Sequence, residues 1–230
     1  MRQKIASLLF RTTSTLFGGS CFLCRGRAAS ILCEACDADL PRLAQPRCPR
    51  CALESPQGAL CGRCLAQTPA YDATEAVLAY EFPADALIQA LKFRGELALA
   101  PLLGALLAEH VRTHPVDLVV PVPLSAARLR VRGYNQALEI ARHVRREGLE
   151  LALCERTRDA PPQIELPYDE RQRNVRGAFR CTRNLIGASI AVVDDVMTTG
   201  ATLDEMARTL KRAGALRVAN WVVARTPLHD

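Results

Sequence analysis

The chain has 230 residues, 49% hydrophobic and 23% charged, a composition that excludes disordered and fibrous classes and fits one or two cored domains. No run of about 18 apolar residues occurs, so a helical membrane span is not expected. The formal charge of +6 invites a nucleic-acid reading, but it counts cysteines as neutral, and this chain has ten of them.

At the N-terminus, Arg2 and Lys4 precede Ile5-Ala6-Ser7-Leu8-Leu9-Phe10. The apolar run is too short for a secretion signal, Arg11 breaks it, and no small-residue cleavage site follows. Residues 1–17 are therefore expected to form an amphipathic helical extension, and the protein is expected in the cytoplasm.

Eight of the ten cysteines follow as four C-x-x-C pairs: Cys21/Cys24, Cys33/Cys36, Cys48/Cys51 and Cys61/Cys64. A C-x-x-C turn brings two sulfurs to one ion, and a second turn completes a tetrahedron. Soft thiolates favour zinc, and four of them close the coordination sphere, so two structural zinc ions are expected over residues 18–68. Sequential and interleaved pairing both satisfy the spacing. Each such site would carry a net charge of −2, which lowers +6 to about +2 and weakens the nucleic-acid argument. Binding metal would supply the folding energy of so small a module.

Beyond Gln67-Thr68-Pro69-Ala70 the pattern changes, and residues 71–230 read as alternating strands and helices. Strands are expected at 76–80, 117–121, 149–153, 189–193 and 217–223. Helices are expected at 84–93, 96–112, 134–146 and 202–213. This order predicts an α/β fold, a mostly parallel sheet with flanking helices, whose ligands bind beyond the carboxyl ends of the strands. Cys154 and Cys181 are expected to be buried thiols. Residues 156–183, irregular and rich in Arg, Pro and Asp, are long for a connection and read as a lid.

The most informative segment is Ile190-Ala191-Val192-Val193-Asp194-Asp195-Val196-Met197-Thr198-Thr199-Gly200-Ala201-Thr202. A buried strand runs into two acids, and a Thr/Gly loop then opens a helix. The backbone N–H groups and hydroxyls of Thr198, Thr199, Gly200, Ala201 and Thr202 suit a phosphate. The carboxylates of Asp194 and Asp195 cannot join that phosphate, but they can accept sugar hydroxyls or help hold hydrated Mg2+. Together the two surfaces imply a phosphorylated sugar. Arg128 and Arg132 after one strand, and Arg171 and Arg173 in the lid, are candidates for neutralising further phosphate, with Arg130, Arg176, Asn174, Asn135, Gln136, Lys92 and Arg94 as weaker ones.

This segment resembles the 5-phosphoribosyl-1-pyrophosphate (PRPP) motif of type I phosphoribosyltransferases. The resemblance implies that Asp194 and Asp195 contact the ribose hydroxyls, that residues 198–202 hold the 5-phosphate, and that Mg2+ bridges ribose and pyrophosphate. The eight-cysteine head, Leu91-Lys92-Phe93-Arg94-Gly95, Val120-Pro121-Val122-Pro123-Leu124, Arg132-Gly133-Tyr134-Asn135-Gln136 and residues 170–179 are similar to the ComF family and the related GntX proteins. Its C-x-x-C-G knuckle glycines are replaced by Arg25 and Ala52. Two functions follow. One is transfer of phosphoribosyl from PRPP to a nitrogen acceptor that no residue identifies. The other is an accessory role in DNA uptake or use, with zinc ribbons that bind single-stranded DNA or a protein partner. A homodimer is left open.

Overall fold

A computed structural model describes residues 19–157 and 175–227. The N-terminal extension and the lid residues Arg171, Arg173 and Asn174 lie outside the described residues. The chain divides into two compact units, residues 1–41 and 42–230.

In the smaller unit, strands β1 (Gly19–Ser20) and β2 (Arg27–Ala28) pair antiparallel, and helix α1 (Glu34–Ala38) follows. The Cys21 N–H reaches Gly26 O at 2.7 Å, and the Arg25 N–H returns to Cys21 O at 3.0 Å. Arg25 occupies the left-handed region at φ 63°.

The larger unit opens with a second ribbon, ending in helix α2 (Gly62–Ala66). Its knuckle repeats the first: Cys48 N–H to Leu53 O at 2.8 Å, Ala52 N–H to Cys48 O at 2.9 Å, and Ala52 at φ 58°. Both residues that replace the knuckle glycine thus hold the glycine conformation, at about 1–2 kcal/mol each.

A four-stranded parallel sheet follows, ordered β3 (Ala73–Ala79), β8 (Arg217–Arg225), β7 (Ser189–Met197), β4 (Leu118–Pro121). Ile190 to Val193 and Val218 to Ala224 are buried, as parallel strands covered on both faces require. Helices α3 (Ala84–Phe93), α4 (Leu99–Val111), α5 (Ala126–Arg132), α6 (Gln136–Val144) and α7 (Ala201–Arg212) complete the layers. α4 packs on α6, β3 and β8, while α7 packs on β7, β8 and the strand Phe179–Cys181. Gly104 lets α4 approach α6 closely: a Cβ there would lie 2.5 Å from His143 Cβ and 2.8 Å from Ile140 O.

The second ribbon belongs to the core of this unit. Cys48, Cys51, Ala52, Leu53 and Cys64 are buried in one cluster with Tyr71, Val192, Val222, Met206 and Leu210. Compactness therefore divides the chain between its two ribbons, whereas the cysteine repeat groups them.

Three elements differ from the sequence reading. The strand expected at 149–153 is a single parallel bridge from Leu149 to Val119. A short antiparallel pair instead joins β5 (Cys154–Arg156) to β6 (Phe179–Cys181), setting buried Cys154 opposite half-buried Cys181. The arginines after β4 ride on α5 rather than a loop, because Ser125 caps that helix through the Arg128 N–H at 3.3 Å.

Candidate functional site

All four parallel strands end at one edge, and the acids of β7 stand there. Asp195 is 2% exposed, and its Oδ2 lies 2.9 Å from Lys92 Nζ at the last turn of α3. Burial opposes ionisation of Asp195, but the Lys92 ammonium wins and holds its carboxyl below the usual range. Half-buried Asp194 accepts the Asp195 N–H at 2.9 Å. Desolvation, then the charge of Asp195, pushes Asp194 well above the usual carboxylate range. Two adjacent acids are therefore shifted in opposite directions, Asp195 by its lysine partner and Asp194 by burial and its neighbour's charge.

Three separate motifs meet here. The exposed Phe93 ring carries Lys92 at 6.0 Å and Arg132 at 5.5 Å from its centroid. Arg132 Nη1 donates to Gln136 Oε1 at 2.5 Å. The Tyr134 hydroxyl donates to the Leu91 carbonyl, tying the segment 132–136 to α3. Asn135 is spent on structure: its Oδ1 caps α6 through the Ala137 N–H at 3.0 Å, and its Nδ2 donates to Val122 O at 3.0 Å. Arg128 is half-buried on α5, and Arg94, Arg130 and Arg176 are exposed.

The loop from Thr198 to Gly200 joins β7 to α7. Gly200 is left-handed at φ 83°, and a Cβ there would lie 2.7 Å from Met197 Cε and 3.1 Å from the Tyr71 hydroxyl. Thr199 Oγ1 accepts the Ala201 N–H at 3.3 Å. The loop carbonyls all have donors. Arg225 Nη1 donates to Met197 O at 2.9 Å and to Thr198 O, and Arg63 Nη2 donates to Thr199 O at 2.6 Å. A trans peptide sets its C=O and the next N–H on opposite sides. Each of the N–H groups of Thr198, Thr199 and Gly200 therefore points away from the carbonyl that a guanidinium holds, and successive N–H groups of this kind suit an anion.

Lys92 carried little weight in the sequence, and Arg225 and Arg63 were not expected at this site. One signal for Arg225 was available: it closes the strand Val218–Ala224, in which Asn220 is the other strongly polar residue.

The cysteines form two clusters, Cys21/Cys24/Cys33/Cys36 and Cys48/Cys51/Cys61/Cys64, each with sulfurs within 4.8 Å of one another. Sequential pairing is the arrangement found. Cys24 Sγ to Cys33 Sγ is 3.7 Å and Cys51 Sγ to Cys61 Sγ is 3.5 Å, near the edge of about 3.8 Å for a tetrahedron of Zn–S bonds about 2.3 Å long. Backbone N–H groups, that of Cys33 foremost, draw the Cys21 thiol down to about 6, while hydrogen bonding to Cys33 pushes Cys36 up to about 12. Burial pushes Cys51 up to about 11. Four such thiols ionise together only around a cation, so both clusters fit zinc.

Known proteins show the same organisation. Residues 12–65 match the double zinc ribbon domain, and residues 105–227 match the phosphoribosyl transferase domain. The DNA utilization protein YhgH of Salmonella typhimurium is 33% identical over 90% of this chain and 97% of its own length. Competence protein F of Haemophilus influenzae is 32% identical over 91% and 98%. Among solved structures, a purine phosphoribosyltransferase from Pyrococcus horikoshii Ot3 shares 20% identity, covering 54% of this chain and 81% of that one, with a TM-score of 0.34. With a zinc ribbon pair and a phosphoribosyl transferase domain aligned nearly end to end with competence protein F, this chain belongs to the competence protein F family.

Proposed function

We propose that the larger unit binds PRPP with Mg2+ and transfers its phosphoribosyl group to a nitrogen acceptor. The observation that carries this reading is the loop at the end of β7. Arg225 and Arg63 hold the carbonyl preceding each of three successive N–H groups, and an acid pair stands two residues before the loop. The N–H groups would cradle the 5-phosphate. Asp194 would accept ribose hydroxyls, with Asp195 held in place by Lys92. Mg2+, when bound, neutralises the departing pyrophosphate, and the oxygen-rich strand end suits its hydrated ion. Arg132, beside Phe93, is the candidate for charge on that pyrophosphate. Catalysis of this kind is mainly positioning and charge stabilisation.

Calorimetry of zinc-replete protein with Mg-PRPP tests the proposal. Saturable binding is expected, and Asp194→Asn should weaken it at least about tenfold, the scale of a lost hydrogen bond to a charged group. The Asp195–Lys92 pair stays intact in that variant, so folding should be unaffected. A folded wild type that binds no Mg-PRPP overturns the reading.

The names of the relatives favour a second reading, an accessory role in DNA uptake or use. On this reading the ribbons engage single-stranded DNA and PRPP serves as a ligand. Affinity for single-stranded DNA that vanishes on cysteine substitution would support it. Pyrophosphate release that depends on an added nitrogen base would favour the enzyme.

A further inference from the structure

Arg225 is 2% exposed, and its guanidinium has acceptors in three segments of chain. Its Nε donates to Cys51 O at 2.9 Å, and its Nη1 reaches Met197 O, Thr198 O and Thr226 O. A buried guanidinium survives only when its donors are satisfied, and its planar fork can serve several carbonyls at fixed angles. Cys51 is one of the four sulfur donors of the second cluster. Arg63, which holds Thr199 O, lies between two others, Cys61 and Cys64. Thus every carbonyl from Met197 to Thr199 is gripped by an arginine that belongs to the second ribbon or is anchored on it. Cys51, Cys64, Tyr71, Gly200, Asp204 and Arg225 line one cleft, and the Ala70 N–H closes its side on Asp204 Oδ1 at 2.5 Å.

We infer that Arg225 and Arg63 are positioning residues through which metal at Cys48, Cys51, Cys61 and Cys64 sets the geometry of the anion-binding loop, so that metal occupancy there and anion binding at residues 198–200 are coupled. The inference rests on the reading of that loop as a phosphate site, but its structural half stands without it. Metal fixes the Cys51 peptide and the turn that carries Arg63; those two fix the loop carbonyls; the carbonyls fix which way the N–H groups face. Coupling through such a chain is reciprocal: whatever binds the loop must also tighten the metal.

The test uses the full chain. Zinc content is measured together with amide hydrogen exchange over residues 196–204, with β3 as internal control. In Cys61→Ser, zinc should fall from two per chain to one and exchange in 196–204 should rise about tenfold or more, whereas Cys24→Ser should lose one zinc and leave that exchange unchanged. Should Cys61→Ser also strip protection from β3, Arg63→Ala decides. It should retain two zinc ions, speed exchange at 198–201 and weaken Mg-PRPP about tenfold, and Arg63→Lys should recover most of the affinity, since one donor serves one carbonyl. Saturating Mg-PRPP should slow release of one zinc ion to a chelator. Mg-PRPP binding with loop exchange indifferent to both Cys61→Ser and Arg63→Ala overturns the coupling. Loop exchange that responds in a protein that binds no Mg-PRPP upholds the control of loop geometry by the metal and overturns both the phosphate reading and the coupling to it.

Discussion

Asp194 and Asp195 are identical in the sequence and opposite in chemistry. Lys92 favours the ionised form of Asp195, and burial, together with that charge, pushes the Asp194 carboxyl well above the usual carboxylate range. A carboxyl group is a full acceptor for sugar hydroxyls only when ionised. Mg-PRPP affinity should therefore rise as pH climbs through the elevated Asp194 range, by up to about tenfold per pH unit for one linked proton. Titrations in two buffers of different ionisation heat should show proton release on binding, and Asp194→Asn should abolish it. The effect of the same proton on stability has the reverse sign: the folded state holds it more tightly than the unfolded chain, so its contribution declines as pH rises through that range. At this scale the loop was legible, because its N–H groups and acids are consecutive in sequence. Its supports were not. Arg225 and Cys51 are 174 positions apart, and no local pattern joins a strand end to a cysteine knuckle.

Helices and strands were read well where burial alone decides them. Residues 84–93 form α3 as expected, and the strands at 117–121, 189–193 and 217–223 emerge as β4, β7 and β8. β7 runs four residues further than its apolar stretch, to Met197, because parallel pairing with β8 continues through Asp194 and Val196. Ladder hydrogen bonds do not depend on side-chain polarity, so hydropathy ends too soon. α5 was missed for the opposite reason: seven residues with three arginines show little apolar periodicity, and a serine cap specifies the turn. The α4–α6 contact gives an element-scale prediction. Gly104→Ala would press a methyl group onto His143 Cβ and Ile140 O, and thermal or urea unfolding should show a loss of about 1–3 kcal/mol. An unchanged midpoint would mean that the helices part at no cost.

For the molecule as a whole, the cysteine count was legible from spacing, and the α/β order from alternation. The sequence did not show that one ribbon lies inside the core of its neighbour. Periodicity reports repeats, and the two ribbons are repeats; burial depends on what each one touches, and Cys51, Ala52 and Leu53 touch the sheet cluster. This placement tells an experimenter where to cut. A fragment beginning at residue 71, the natural choice from composition, would remove five buried members of its own hydrophobic cluster and leave Arg225 without its Cys51 acceptor. A fragment of residues 42–230 keeps both. The longer fragment should express as a monodisperse protein with one zinc ion per chain, and the shorter should aggregate. Size-exclusion chromatography with metal analysis distinguishes them. The ribbon that reads as an appendage is, for the purpose of subcloning, indivisible from the domain it precedes.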